Sequence, residues 1–285
     1  MTAWQPLPLP DGVEGAGAPS LHVWRKLRSR ELHNYRDVFV ALPPSHAAGG
    51  GPWPVVWMQD GQNLFDPAMS FAGAWGLVPV LRDLAADGFE VVVVGIANSG
   101  RFRRFEYSPF RDAEHGGGDG DHYLTFITDT VMPLVADSFP VRTGPAHTVI
   151  AGSSLGGLMS LSALWRRPDV FGGAAALSPA VWFADEAMRR LVEREPLPAG
   201  RLYLDVGTGE PELLVGAVRR LRDALTERGM PPDRFRYLED DGGRHHESHW
   251  GRRFGDAIPF ALDRQVDPAR AGAGSPGDPT DRSAS

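Results

Sequence analysis

The stretch that most constrains this chain runs from residue 147 to residue 161, where a short apolar segment meets a glycine-rich turn. Residues 149–151 are apolar, residues 152–156 read Gly-Ser-Ser-Leu-Gly, and the apolar residues that follow recur at helical spacing. This order predicts a strand, a sharp turn and a helix, which is the context of a nucleophile elbow with Ser154 at its apex. Gly152 and Gly156 suit such a turn, because a Cβ at either position would crowd the chain where it doubles back.

Length, charge and residue usage narrow the function classes. The 285 residues are 42% hydrophobic and 23% charged, which is enough for one large α/β domain with a substantial core. The net charge of -7 argues against a nucleic-acid or anionic-membrane surface, since both attract basic patches. Because the chain has no cysteine, a disulfide scaffold, a thiolate metal site and a cysteine nucleophile are excluded. Any catalysis must use hydroxyl, imidazole and carboxylate groups.

The two ends of the sequence lack the patterns of a folded domain. Residues 1–19 are rich in Pro and Gly and predict an N-terminal arm, residues 20–264 predict the folded domain, and residues 265–285 predict a disordered tail. The amino-terminal residues show neither the basic nor the apolar region of a secretory signal, and no apolar run approaches the roughly 20 residues that span a bilayer. We therefore expect a cytoplasmic protein.

Strand and helix patterns alternate along most of the chain. Two antiparallel strands are predicted at 21–27 and 35–42, and short apolar runs then alternate with amphipathic helices from residue 55 onward. This alternation predicts an α/β fold with a mostly parallel central sheet and helices on both faces. Ligands of such sheets bind beyond the carboxyl ends of the strands. The candidate site residues described below all fall there.

Two loops that follow predicted strands are candidates for function. Residues 59–66 form a polar, glycine-containing loop after the strand at 55–58, where a backbone N–H near Gly61 or Gln62 could serve an oxyanion hole. An ordinary strand-to-helix loop with Asp and Asn caps is an equally good interpretation. Residues 98–121 form a loop long enough to suggest a functional role. Its glycine-rich run at 116–120 lacks phosphate-loop spacing and indicates a flexible connection.

A serine nucleophile requires an acid and a base that follow it in the chain. The imidazole takes the serine proton, and the carboxylate holds the imidazole in the correct tautomer. Glu210 comes directly after the strand predicted at 201–206 and is the first candidate for the acid. Asp205, inside that strand, is the second candidate, and Glu212 is better explained as a helix cap.

Three histidines near the end of the last predicted strand compete for the role of the base. His245 is the first candidate, and His246 and His249 are alternatives. A zinc site must be weighed because Glu247 lies among them, but His246 and His249 are three residues apart, where the zinc helix motif requires four. His245 and His249 have the right spacing but no evident third ligand. We expect neither a metal nor a cofactor.

Five motifs between residues 57 and 250 together carry a resemblance to a known family. They are Trp57-Met-Gln-Asp60-Gly61-Gln62-Asn63-Leu-Phe-Asp66, Arg103-x-x-Glu106-Tyr107-Ser-Pro109, Ala151-Gly-Ser-Ser154-Leu-Gly-Gly-Leu158, Leu177-Ser-Pro-Ala180 and His245-x-Glu247-x-x-Trp250. With them, the stretch from about residue 35 to residue 262 resembles the Putative esterase family of α/β-hydrolases. That family includes enterochelin (siderophore) esterases, feruloyl and acetylxylan esterases, S-formylglutathione hydrolase and mycolyltransferases. The resemblance implies the α/β-hydrolase fold.

The resemblance also implies roles for individual residues. Carried over by position, it makes Ser154 the nucleophile and His245 the base, and it pairs the N–H of Leu155 with that of Gly61 or Gln62 in the oxyanion hole. The family's acid follows a Gly-Thr-x-Asp/Glu pattern, which residues 207–210 match.

Three features leave details of that assignment open. Some siderophore esterases of the family resemble Ser–His dyads with a displaced acid, so Glu210, Asp205 or neither could complete the triad. Relatives often carry His at the position of Gln59 and Asn at the position of His246. Neither difference removes a triad member.

The function implied by the resemblance is hydrolysis of carboxylic esters through an acyl-enzyme. We expect siderophore-type, enterochelin-like esters, because an intracellular location fits an imported ferric siderophore better than plant cell-wall esters. Carbohydrate, small acyl or thiol esters are the alternative, and a non-catalytic binding protein is a minor one. The expected partner is thus a small ester, with no nucleic acid or membrane. Arg103, Tyr107 and Trp182 are candidate substrate-binding residues, although Arg103 and Glu106 could instead form a structural ion pair.

Overall fold

The computed structural model describes residues 3–13, 15, 17–70 and 73–263. The strands are β1 (Gln5–Leu7), β2 (Ser20–Ser29), β3 (Asn34–Leu42), β4 (Val55–Gln59), β5 (Val92–Ile96), β6 (Arg111–Asp112), β7 (Gly116–Gly117), β8 (Thr148–Ser153), β9 (Gly173–Leu177), β10 (Arg201–Gly207) and β11 (Phe235–Asp240). In this part of the chain, β6 and β7 form a small hairpin and the other nine strands form one sheet in the order β1-β2-β3-β5-β4-β8-β9-β10-β11.

Eight α-helices alternate with these strands in the described residues. They are α1 (Leu77–Ala86), α2 (Arg103–Glu106), α3 (Gly120–Thr125), α4 (Met132–Ser138), α5 (Leu155–Arg166), α6 (Phe183–Arg194), α7 (Glu212–Glu227) and α8 (Glu247–Ala261). A π-helical segment, Phe126–Val131, joins α3 to α4, so residues 120–138 form one continuous but irregular helix. Residues 184–186, inside α6, have positive φ. None of the described helices is long and apolar enough to cross a membrane.

The sheet is parallel where the candidate site lies and antiparallel at its amino-terminal edge. Strands β5, β4, β8, β9, β10 and β11 are parallel neighbours, whereas β1, β2, β3 and β5 pair antiparallel. The register of β3 aligns Val38 with Ile96, at the carboxyl end of β5. The turn between β2 and β3 therefore projects from the same edge as the carboxyl ends of the parallel strands.

Helices cover both faces of the sheet because successive side chains of each strand point to opposite faces. In β4, Val55 and Trp57 belong to the core under α5, α6 and α7, while Val56 and Met58 belong to the core under α1 and α8. All five residues of β4 are buried, as expected for a central strand with helices on each side. The predicted α/β-hydrolase fold, with a mostly parallel sheet covered on both faces, is confirmed.

The amino-terminal region differs from its prediction, since residues 5–7 of the expected arm form an edge strand. Gln5 pairs with Val23 of β2, which extends the sheet by one strand. Three residues are too few for the alternation that predicts a strand, so pairing with β2 decides their conformation. The tail predicted to be disordered, residues 265–285, lies outside the described residues.

Candidate active site

The elbow predicted around Ser154 is the junction between β8 and α5. Ser154 has φ 56° and ψ −123°, a strained conformation for a residue with a side chain. Two hydrogen bonds hold it there: its N–H donates to the Leu177 carbonyl at 3.1 Å, and its own carbonyl accepts from the Ala180 N–H at 2.9 Å. Both partners lie at the end of β9, so the neighbouring strand fixes the conformation that raises the serine above the sheet.

The buried Gln59 side chain supports the elbow from below. With its amide nitrogen facing β8, Gln59 donates to the carbonyl of Ala151 at 2.5 Å and to that of Gly156 at 3.2 Å. It thereby links the strand before the nucleophile to the helix after it. A Cβ on Gly152 would collide with this side chain, which gives the steric reason for glycine at that position.

The structure brings Glu210 and His245 together at the same edge of the sheet. Glu210 lies in the turn after β10, His245 lies after β11, and Glu210 Oε2 is 2.6 Å from His245 Nδ1. The carboxylate is fully buried, whereas the imidazole is one-third exposed. The Trp250 indole packs edge-on against the imidazole, with ring centroids 4.8 Å apart. Such contacts fix one orientation of the imidazole.

The second oxygen of Glu210 is held by groups that fix the carboxylate plane. Glu210 Oε1 accepts from the Gly207 N–H at 2.8 Å and from the Ser178 hydroxyl at 2.5 Å. Burial alone raises the pKa of Glu210, but the hydrogen bonds from His245, Ser178 and Gly207 outweigh it, so the pKa lies below its usual value. Glu210 is therefore a charged acceptor for His245 at neutral pH.

Ser178 itself is part of a buried network from α8. Its hydroxyl oxygen accepts from Trp250 Nε1 at 3.0 Å and from Arg253 Nη2 at 2.9 Å. Since that oxygen accepts two hydrogen bonds, its single proton is directed to Glu210. The sequence analysis did not single out Ser178 or Arg253. A signal existed for both, because Ser178 lies in the Leu177-Ser-Pro-Ala180 motif and Arg253 follows Trp250 by three residues on one helix face.

Asp205, the second candidate for the acid, is occupied elsewhere in this network. Its Oδ1 accepts from the Ser178 N–H at 2.9 Å, and its Oδ2 lies 3.0 Å from Arg253 Nε. That N–H is not aligned for a hydrogen bond, so the contact is an ion pair only. Complete burial raises the pKa of Asp205 to about 7 even though Arg253 opposes the shift. The structure places Glu210, and not Asp205, against the histidine.

The two competing histidines have other partners. His246 is the N-cap of α8, where its Nδ1 accepts from the Ser248 N–H at 3.2 Å. Asparagine is among the best N-cap residues, which explains why a relative can carry Asn at this position. His249 Nδ1 accepts from the Arg244 N–H at 3.3 Å. Of the three histidines, His245 is the one in contact with Glu210.

The predicted oxyanion loop is a short 3-10 helix, Gly61–Asn63, at the end of β4. A Cβ on Gly61 would overlap the backbone of Gly95 in β5, so only glycine allows this close approach. Leu155 is the first residue of α5, and the first N–H groups of a helix have no intrahelical acceptor. The N–H groups of Gly61, Gln62 and Leu155 therefore begin helical turns at the same edge of the sheet.

Asp60 fixes the entry to this loop. It has φ 56° and ψ 44°, and its carboxylate is bound by Arg103, with Nε to Oδ1 at 2.8 Å and Nη2 to Oδ2 at 2.7 Å. The Asn98 amide adds a bond to Oδ1 at 2.7 Å, and the Asp60 N–H donates to the Tyr107 hydroxyl at 3.0 Å. A bidentate Arg pair restricts both side chains to one geometry. The loop that carries Gly61 is thus tied to residues 98–107.

These contacts change the interpretation of the substrate-binding candidates. Tyr107 is completely buried and offers no surface to a ligand, so we assign it to the support of Asp60. Arg103 also binds Asp60, and the predicted Arg103–Glu106 pair is wrong in its partner, because Glu106 pairs with Arg36 at 2.9 Å. Trp182 is partly exposed and packs edge-on against His115, with centroids 5.9 Å apart. Its role as a substrate contact stays a prediction.

Comparisons with known proteins agree with this geometry. Residues 29–261 match the family described as Putative esterase. An uncharacterized protein of Bacillus subtilis, YbbA, is 26% identical over 77% of this chain and 89% of its own length. A siderophore triacetylfusarinine C esterase of Aspergillus fumigatus is 34% identical over 47% of each chain, so this match spans about half the length of that relative.

A solved structure of a ferulic acid esterase has the same fold. It superposes with a TM-score of 0.70 at 19% identity and covers 87% of this chain and 99% of its own. The family match covers most of the chain, and strands β3 to β11, the elbow and the histidine loop lie within it. The chain belongs to the Putative esterase family and is a carboxylic ester hydrolase with the α/β-hydrolase fold.

Proposed function

We propose that this protein hydrolyses carboxylic esters through a covalent acyl-enzyme on Ser154, with His245 as the base and Glu210 as the acid of the triad. The observation that carries the proposal is the 2.6 Å contact between Glu210 Oε2 and His245 Nδ1, at the sheet edge where Ser154 forms the elbow. A carboxylate at Nδ1 keeps the proton on that nitrogen and leaves Nε2 as the acceptor that a serine proton requires.

The reaction that follows from these roles is a two-step acyl transfer. The Ser154 oxygen attacks the ester carbonyl, His245 takes its proton, and the same proton then passes to the leaving alcohol as the tetrahedral intermediate collapses. Water attacks the acyl-enzyme by the reverse sequence of proton transfers and releases the acid. The negative charge on the carbonyl oxygen is stabilised by the N–H of Leu155 and that of Gly61 or Gln62, each worth about 3 kcal/mol of barrier.

We propose siderophore-type esters as the substrate class. Support comes from the Aspergillus relative, which is a siderophore esterase by its name, and from the 98–121 region. There Phe102 and Phe105 are 45% and 39% exposed, and the Arg101 guanidinium lies 4.7 Å from the Phe102 ring centroid. Exposed rings beside a cation suit an anionic aromatic ligand such as a catecholate. The second candidate is an ester of a hydroxycinnamic acid, which the likeness to a ferulic acid esterase favours.

The test of the proposal is labelling with a fluorophosphonate, followed by intact mass and peptide mapping. We expect one label on Ser154 in the native protein and none in Ser154→Ala. A panel of catecholate, hydroxycinnamoyl and simple acetyl esters then ranks the substrate classes by kcat/KM. A folded protein that takes no label and turns over no ester would refute the catalytic proposal and indicate a binding protein with this fold.

A further inference from the structure

The hairpin formed by β2 and β3 carries a group of basic side chains at the active-site edge of the sheet. Lys26, Arg28 and Arg30 are exposed, in a chain whose net charge is -7. Lys26 lies at a bulge with φ 51°, where the pairing of β2 with β3 shifts register. Because β3 runs antiparallel to β5, this hairpin points the same way as the carboxyl ends of the parallel strands. We call residues 24–35 the basic hairpin.

Two adjoining grooves connect the basic hairpin to the oxyanion loop. The first, of about 720 Å³, is lined by Gln62 and Arg103 at one end and by Arg25 and Tyr35 at the other. The second, of about 650 Å³, is lined by Tyr35 together with Lys26, Arg28 and Arg30. Tyr35 is shared by both grooves and is 62% exposed. A ligand that occupies both would extend from the loop at Gln62 to the tip of the hairpin.

The acidic groups that face these grooves are engaged by other partners. Asp37 pairs with Arg25 at 2.6 Å. Glu31 accepts from the Thr130 hydroxyl at 2.9 Å and from the Ser29 hydroxyl at 3.0 Å, and Asp129 accepts from the Thr128 hydroxyl at 2.6 Å.

The cations of the second groove have no such partner. Within the described part of the chain, Lys26, Arg28 and Arg30 form no ion pair. The groove also holds the carboxylates of Glu31 and Asp129, which stay charged, so its cations outnumber its acidic groups by three to two and can be used by an incoming anion without breaking an ion pair.

We infer that the basic hairpin is a substrate subsite that binds an anionic oxygen group of the ester while the ester carbonyl lies at the oxyanion loop. This inference rests on the proposed function and adds a selectivity for charged substrates. One exposed ion pair contributes little because water screens it, so a single cation would select weakly. Three cations along one groove, with the Tyr35 ring beside them, would together favour an anionic ester over a neutral one by about tenfold in KM.

Steady-state kinetics on matched esters test the inference. Two pairs of p-nitrophenyl-type esters are compared, and each pair contains one anionic and one neutral ester. In the first pair the acyl chain ends in a carboxylate or in a primary amide. In the second pair the alcohol carries the same two groups. In the triple variant Lys26→Gln, Arg28→Gln, Arg30→Gln, we expect KM for at least one anionic ester to rise about tenfold, with kcat and both neutral esters unchanged. Arg194→Gln, an exposed arginine on α6, is the control for loss of one positive charge outside the basic hairpin and should change none of these constants.

A footprint of Lys26, the single lysine of the sequence, gives an independent readout. In Ser154→Ala, acylation of Lys26 by an N-hydroxysuccinimide ester is measured with and without the anionic amide analogue of the substrate, and the α-amino group serves as the internal reference. Protection of Lys26 alone supports the subsite. Unchanged KM for both anionic esters, or an equal rise for the neutral ones, overturns the inference. Loss of fluorophosphonate labelling in the native protein would refute the proposed function instead.

Discussion

Replacement of Ser178 by alanine separates the support of the triad acid from the triad itself. The Ser178 hydroxyl gives Glu210 one of its three hydrogen-bond contacts, at 2.5 Å, and it accepts from Trp250 and Arg253. Ser178→Ala leaves these two buried donors without this acceptor and leaves Glu210 with the Gly207 N–H and His245. The substitution therefore affects both the stability of the fold and the position of the acid.

The two effects have different sizes. A buried donor left without an acceptor costs about 1–3 kcal/mol, and two of them, partly relieved by relaxation of Arg253, predict a loss of about 2–4 kcal/mol in the free energy of unfolding. A hydrogen bond to a charged group contributes about 1.5–3 kcal/mol. If about half of that is lost in the transition state, kcat falls about five- to tenfold, while KM for a small ester stays the same.

Urea unfolding and steady-state hydrolysis of a neutral p-nitrophenyl ester measure the two effects on the same protein. Ser162→Ala is the matched control, because Ser162 is also buried and its hydroxyl accepts from Arg166 Nε at 3.1 Å. Within the described residues, Ser162 makes no hydrogen bond to Ser154, Glu210 or His245. This control variant should lose stability but keep kcat. Ser178 has φ 44°, a conformation that glycine adopts without strain, so Ser178→Gly removes the hydroxyl without straining the backbone. It should lower kcat as much as Ser178→Ala does. A normal kcat in both Ser178 variants would refute the role of this hydroxyl.

Three further predictions follow from the same site. Glu210→Gln should lower kcat about 10³-fold or more while Asp205→Asn changes it less than tenfold, and equal losses would show that the acid is not Glu210 alone. Because burial raises the pKa of Asp205 from 3.8 to about 7, the folded state keeps a proton that the unfolded state has released. Urea titrations give the difference in the free energy of unfolding between the native protein and Asp205→Asn. This difference should therefore fall as the pH rises from about 4 to 7. If the difference rises instead, the ion pair with Arg253 dominates. His246→Asn should keep the cap of α8, with thermal stability and kcat unchanged, whereas a tenfold loss of kcat would indicate that His246 takes part in proton transfer.

Local pattern was sufficient for most of the fold and for part of the site. The apolar run before Gly152 and the helical spacing after it predict the β8–α5 elbow, because strand and helix periods differ and the turn between them demands glycine. The position of Glu210 after a predicted strand ranked it above Asp205, which lies inside that strand, and the resemblance carried over by position made His245 the base. One exception in the fold is β1, whose three residues become a strand only by pairing with β2. Another is the loop predicted at 98–121, which contains α2 and the β6–β7 hairpin.

The supports of the site are decided by tertiary structure. Nothing near Arg103 in the sequence indicates that its partner is Asp60, 43 residues away, and Glu106 likewise finds Arg36 across the sheet edge. Ser178 meets Glu210, and Arg253 meets Ser178, only because β9, β10 and α8 converge at the carboxyl edge of the sheet. Sequence periodicity specifies which face of an element is buried, whereas the partner of a buried charge depends on which distant segments the sheet order brings within hydrogen-bond distance. Sequence alone therefore names the candidate reacting groups, and only the fold shows what holds them in place.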